Sequence, residues 1–262
     1  MMHNLKAEFK KLLSVRSTYF IALIALGLIV FLAFYVQGFK NSEKDALAST
    51  NLFLAGTVMM MATIISVFAG VTALLLMAHE YRYNTIIYTL TASNSRSKVL
   101  LSKILVIMAY VFVLSLVLGA LGVGLVSAGV AASGHHLMHQ DINYLTYLAK
   151  VIFYSEGYSL AALLFITLIR NQVGALAALF IIPGTVEGLL GLLLKHNSVY
   201  MPFTGLAQVI QPPALPGVMT DKAHEAATGY LSAPRGSVVF LAYLVFGWII
   251  AWYLFLRRDA TT

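Results

Sequence analysis

HEYRYNTIIYTLTASNSRSKVLLSK, residues 79–103, separates two of the longest apolar runs in the chain. Glu80, Arg82, Arg96, Lys98 and Lys103 would each cost about 2.5–3.5 kcal/mol near a bilayer centre, and Asn84, Asn94 and the serines would add unpaired polar groups. The stretch therefore reads as a link between spans, and the runs on either side of it as the spans. Within it Asn84 or Thr85 caps a short helical turn through Ile86, Ile87 and Leu90, which Ser93-Asn94-Ser95 then breaks. Ser95 caps the helix that follows, whose first turns carry Arg96, Lys98 and Lys103. Two readings stay open here. A short helix on the basic side of a membrane protein suits the docking of a soluble partner, and a solvated loop with interfacial anchors has the same composition.

Composition bounds the rest. Of 262 residues 60% are hydrophobic and only 10% charged, and a mean hydropathy of +0.86 is far too apolar for a soluble domain. The chain reads as one all-α integral membrane domain over residues 1–262. The net charge of +7 comes from basic residues at the ends of apolar runs, with no patch interleaved with stacking aromatics, so nucleic acid is not the partner it implies. The chain has no cysteine, which excludes disulfides, cysteine metal sites and thiol catalysis.

Residues 1–18 form an interfacial elbow helix: Leu5, Phe9, Leu12 and Leu13 recur at helical spacing, while Lys6, Glu8, Lys10, Lys11 and Arg16 fill the other face. Six spans follow, at about 19–36, 52–78, 104–131, 151–169, 173–194 and 237–256. Ala46-Leu47-Ala48 has the small-residue pattern of a signal cleavage site, but it lies too far beyond an apolar run that is itself too long, so the first run is read as an uncleaved anchor. Met59-Met60-Met61 in the second span faces lipid or fills packing gaps. The third run exceeds what a bilayer requires, so it tilts or protrudes on the far side; Ala120, Gly124 and Ala128 along it, and Gly184 and Gly188 further on, permit close helix approach. Pro183 kinks the fifth span, with a neighbouring span satisfying the carbonyl it frees. Residues 195–236 make an outer segment with short helices, in which Tyr200 to Ile210 forms a re-entrant or surface-lying helix capped at Thr204.

Both termini are placed in the cytoplasm by the basic residues. In that orientation the inner segments hold eleven Lys and Arg, with Arg257-Arg258 at the C-terminal end, against six in the outer ones. His135, His136, His139 and Asp141 have a spacing that puts two imidazoles on one helical face; without a second cluster they read as a solvated outer loop, and no metal site is expected. Glu156 and Glu187 are the carboxylates inside spans and the candidate substrate contacts. Counted from the Arg170-Asn171-Gln172 turn they share a depth, so they face one another or a common outer cavity, or each reaches up to Lys150, Lys195 or His196 at the interface. No Gly-x-x-x-x-Gly-Lys loop, His-Glu-x-x-His pair or Gly-x-Ser-x-Gly elbow occurs, so the chain is not read as an enzyme and does not itself hydrolyse ATP.

The order Glu80, Arg82, Asn84-Thr85-Ile86, Leu90, Ser95-Arg96, Val99-Leu100-Leu101-Ser102-Lys103 resembles the link between the second and third spans in permease subunits of type 2 ABC exporters. In that family a Glu-rich turn leads into a Gly-Thr-Ile/Leu step and a Ser-Arg…Leu-Leu restart; here Asn84 stands for the Gly, and Asn94 for a Pro often found before Ser-Arg. An N-terminal elbow helix, and an outer Leu-Pro-x-x-Ala step matched here by Met201-Pro202-Phe203-Thr204-Gly205-Leu206-Ala207, extend the resemblance along the chain. It implies that Glu80, Arg82, Thr85, Ile86 and Leu90 couple to a separate ABC ATPase subunit that binds the ATP, so that this chain needs no cofactor of its own. It also implies a homodimer or heterodimer of permeases, in the cell membrane, exporting a substrate. An ion-coupled secondary carrier would show more spans and internal repeats; a membrane scaffold or immunity protein without a transport cycle is the other alternative.

Overall fold

Apolar helices long enough to cross a bilayer number six among the described residues, which are 2–41, 50–92, 95–135, 144–211 and 231–257 of a computed structural model. No strand occurs among them. Helix α1 (Met2–Ser14) is separated by one extended residue, Val15, from α2 (Arg16–Ile29), which continues as wider π-helical turns over Val30–Lys40 to complete the first span. Then come α3 (Thr50–Arg82), the short α4 (Ile86–Ala92), α5 (Arg96–Ala132) and α6 (Tyr144–Ile169). The fifth span is composite: α7 (Gln172–Ile181), a π turn at Ile182–Val186, α8 (Glu187–Leu194) and a 3-10 turn at Lys195–Tyr200. Helix α9 (Pro202–Ile210) and the last span, α10 (Ala233–Arg257), complete the order.

Helices α3 and α6 form the axis of the bundle and run parallel. Gly70 lies under the Tyr158 ring, which leaves no room for a Cβ, and two turns on Thr167 Oγ1 donates to Met77 Sδ at 3.4 Å. Around this seam Leu74, Met77 and Ala78 pack with Ala162, Ile166 and Phe240 in a core that also takes in Ile86 of α4. A second core joins Ile29 and Ala33 of the first span to Met61, Ile65 and Val126. Outward, large apolar side chains stay exposed, Val173 at 76% and Leu193 at 78% among them, a surface that suits hydrocarbon and not water.

Two helices extend beyond the apolar runs read as spans. Helix α5 begins at Arg96 behind Ser95, as the sequence reading expects, ahead of the apolar span that starts at residue 104, so its 37 residues span about 55 Å at 1.5 Å per residue. Eight of those residues precede the span read from residue 104, on the link side. Helix α6 begins at Tyr144, ahead of Lys150, because that ammonium has a partner: it donates to the Gln211 carbonyl at 3.2 Å. The small-residue row Ala120, Gly124 and Ala128 faces outward. The close approaches are made instead at Gly122, which takes the Met61 thioether, and at Gly129, which meets Gly38; a Cβ on Gly38 would sit 2.8 Å from the Val126 carbonyl. The Met run divides accordingly, Met61 buried and Met59 exposed.

The fifth span turns as expected at Pro183. Its missing N–H leaves the Leu179 carbonyl four residues earlier without the usual helical donor, and Tyr158 Oη of α6 donates to that oxygen at 2.9 Å. The hairpin between α6 and α7 is tight: Arg170 takes a left-handed conformation at φ 56°, and Asn171 caps α7 by accepting from Gly174 N at 2.9 Å.

At the far end α9 is clamped by three spans. Gly205 and Gly236 bring α9 and α10 together backbone to backbone, Lys150 of α6 holds Gln211, and Glu187 of α8 closes the N-terminus of α9. Thr204 does not cap this helix through its own position. Met201 stands at the N-cap without a side-chain bond, Pro202 occupies the first turn, and the Glu187 carboxylate accepts from Phe203 N at 2.8 Å, Thr204 N at 2.7 Å and Thr204 Oγ1 at 2.8 Å. A carboxylate is the stronger acceptor for the orphan amides and the positive end of a helix.

Candidate functional site

The link, the elbow and the start of the third span converge on four buried or half-buried charges. Lys103, wholly buried in α5, donates to Glu8 Oε2 at 2.8 Å and to Glu80 Oε1 at 2.7 Å. Lys11 closes the ring, donating to Glu8 Oε1 at 2.9 Å, Glu80 Oε1 at 2.7 Å and Thr89 Oγ1 of α4 at 3.2 Å. Two cations face two anions, so the cluster is neutral, which is the condition under which charges survive burial. Burial pulls the Lys11 ammonium down, but the bonds and charges of Glu80 and Glu8 outweigh it and hold its pKa above the ordinary 10.5.

This arrangement departs from the sequence reading at three places. Glu8 does not lie on a solvated polar face of the elbow; with Leu12 it forms the inner face, while Phe9 and Leu13 remain exposed. Lys103 is not a solvated member of the link but the centre of the cluster. Glu80 and Ile86, expected to couple to a partner, are turned inward at 5% and 3% exposure. A signal for the first was present in the sequence: Glu8 is the one acidic residue before Glu43, in a helix otherwise basic.

Residues 79–91 leave a different face free. Asn84 takes the left-handed conformation (φ 53°) that Asn tolerates, reversing the chain after α3, and Thr85 N donates back to Glu80 O at 3.0 Å. Ile86, Ile87 and Leu90 then turn into the core while Arg82, Tyr83, Thr85 and Tyr88 point outward, Tyr83 at 64% and Tyr88 at 75% exposure. The Arg82 guanidinium lies 5.5 Å from the centre of the Tyr83 ring, a cation–π distance. Ser95 occupies the N-cap of α5 in extended conformation without a side-chain cap bond. Nearby, Arg170 approaches the Tyr81 ring at 5.9 Å and Arg96 Nη1 donates to Leu256 O at 3.2 Å. The α6–α7 turn and the end of α10 therefore share this end of the molecule with the elbow and the link.

Glu156 and Glu187 do not pair. Glu187 holds α9 as described, and neither Lys195 nor His196 is its partner; Glu156 Oε2, on α6 beside the Gly157 contact with Phe240, is buried and has no hydrogen-bond partner among the described residues. Of the four residues weighed for a metal, His136, His139 and Asp141 lie outside the described residues, and His135 Nδ1 is 3.2 Å from Ser133 Oγ. Among the described residues no three His, Asp or Glu side chains come together as metal ligands do.

Six apolar spans among the described residues, an elbow helix pinned at one end and a short helix presented between spans two and three make a multi-pass, all-helical membrane protein. A family model described as ABC-2 family transporter protein matches residues 4–186, and the chain belongs to that family. The match takes in the elbow, the link and the spans through the π turn that contains Pro183. None of the curated proteins compared with the chain matches it.

Proposed function

We propose that this chain is the membrane-spanning subunit of an ATP-driven exporter. It lies in the cell membrane with both termini in the cytoplasm, pairs with itself or a related permease, and moves an amphipathic or lipid-like substrate outward. A separate ATPase subunit binds and hydrolyses the ATP, so this chain needs no cofactor. The observation that carries the reading is the outward face of the link, Arg82 at the end of α3, Tyr83 and Thr85 in the turn and Tyr88 on α4, mounted on a rigid base. Exposed aromatic and arginine side chains on a fixed turn and helix suit a protein partner.

In this reading Arg82 and Thr85 touch the ATPase, Ile86 and Leu90 seat the link helix in the core, and Glu80 ties it to the elbow. Glu156 contacts substrate within the membrane, while Glu187 acts on the path by holding α9 in place. The test is co-purification of the ATPase with Arg82→Glu and Tyr88→Ala chains, alongside transport. Both variants are expected to insert normally and to lose ATPase binding or the coupling of hydrolysis to transport; normal coupling in both would overturn the docking role. Charge reversal at Glu80 is a poorer probe, because it breaks the buried cluster as well. Reporter fusions after Lys44 and after Asp221 are expected outside and one after Ser95 inside, and an external Ser95 would overturn the orientation.

A further inference from the structure

Beside the charge cluster, on its outer side, α1 and α5 leave an open groove of about 520 Å³. Phe9 and Leu13 of α1 and Leu105 and Ala109 of α5 give it an apolar floor, and Lys6 and Lys10 stand on its rim. All six are exposed. The lysines are one helical turn apart, neighbours on the same face, and the acid that would offset them, Glu8, is turned to the opposite side and held by Lys103 and Lys11. The outer face of the elbow thus carries cations and apolar surface together, and nothing among the described residues answers either.

We propose that this groove is a binding site for one anionic phospholipid, with its phosphate headgroup between Lys6 and Lys10 and an acyl chain along Phe9, Leu13, Leu105 and Ala109. The charge sequestration argues for this occupant: by drawing Glu8 inward, the cluster leaves a two-lysine anion site at the mouth of an apolar channel. A protein segment would have to match both an acidic group and an extended apolar stretch at the level of the membrane surface, where lipid carrying both is already present. The site needs no ATPase and no transport cycle, so its failure would leave the exporter reading untouched.

The full-length chain, purified in detergent and stripped of lipid, is titrated with phosphatidylglycerol and with phosphatidylcholine of the same chain length, and bound lipid is counted by native mass spectrometry. One phosphatidylglycerol per chain is expected to be retained well above phosphatidylcholine. Each lysine at an anionic lipid surface is worth about 1 kcal/mol, so Lys6→Gln with Lys10→Gln is expected to weaken phosphatidylglycerol about 30-fold at 1.4 kcal/mol per tenfold. Phosphatidylcholine binding should not change. Ala109→Trp fills the channel and should weaken phosphatidylglycerol with both lysines in place. Equal retention of the two lipids, or an affinity within about 3-fold of wild type in the double lysine variant, would show diffuse annular contact and overturn the site. Because Lys6 and Lys10 are exposed, the lysine variant decides the matter even if the tryptophan variant does not fold.

Discussion

Replacing Lys103 with Met keeps the length of the side chain and removes its charge from a position with no exposure to solvent. Glu8 and Glu80 would then face a single cation, Lys11, whose side chain is 40% exposed, and the cluster would carry a net buried negative charge. Breaking a buried ion pair by removing one partner costs about 3–5 kcal/mol. For a chain of this size that is a fall in Tm of about 6–20 °C. The assay is thermal unfolding in detergent, followed by Trp248 and Trp252 fluorescence, with amide exchange read over α1. That helix has 13 residues, too few to hold its structure once detached, so its exchange is expected to rise first. Adding Glu8→Gln to Lys103→Met leaves Lys11 and Glu80 as a balanced pair. The double variant is therefore expected to be more stable than the sum of the two single changes by about 1–3 kcal/mol. A Tm within 2 °C of wild type for Lys103→Met, by the scale of about 2–4 °C per kcal/mol, would refute the view that the cluster anchors the elbow, as would strict additivity of the pair.

Glu187→Gln leaves one carbonyl oxygen where a charged carboxylate serves two amides and a hydroxyl, so the Phe203 and Thr204 amides should exchange faster, by about 1–2 kcal/mol of lost capping. Unchanged exchange over α9 would mean that the clamps at Gly205 and Lys150 suffice. Gly38→Ala pushes a methyl to 2.8 Å from the Val126 carbonyl and should lower Tm markedly, whereas Gly124→Ala, with nothing within 4 Å, should leave it unchanged or raise it by the helix propensity of Ala, about 1 kcal/mol. Equal effects at the two glycines would contradict the packing of the π-helical end of the first span on α5.

The spans were legible because bilayer thickness imposes long apolar runs that few other constraints produce. What holds the charges at their ends was less so. Lys103 and Lys150 stand at the edges of the apolar runs, yet each is held by a residue distant in sequence, 95 positions away for Lys103 and Glu8 and 61 for Lys150 and Gln211. Local composition carries no mark of such a partner. The freed carbonyl at Leu179 shows the opposite case: Pro183 announces the vacancy in the sequence, and only the identity of the donor, Tyr158, had to come from the fold. At the candidate site the link helix and its left-handed Asn84 were readable from turn chemistry. Which of its faces is free was not, since Ile86 looks as available as Tyr88 until the core behind it is known.

The buried cluster also sets an order of assembly. Glu8 and Glu80 leave the ribosome before Lys103, ahead of it by 95 and 23 residues respectively. By the time the third span reaches the membrane, both carboxylates that neutralise its lysine have already been made, one on the elbow and one at the end of the second span. The cation is thus the last of the four charges to arrive. An N-terminal helix that looks like a surface ornament is, during synthesis, half of the counter-charge that allows a lysine-bearing span to settle at its proper depth.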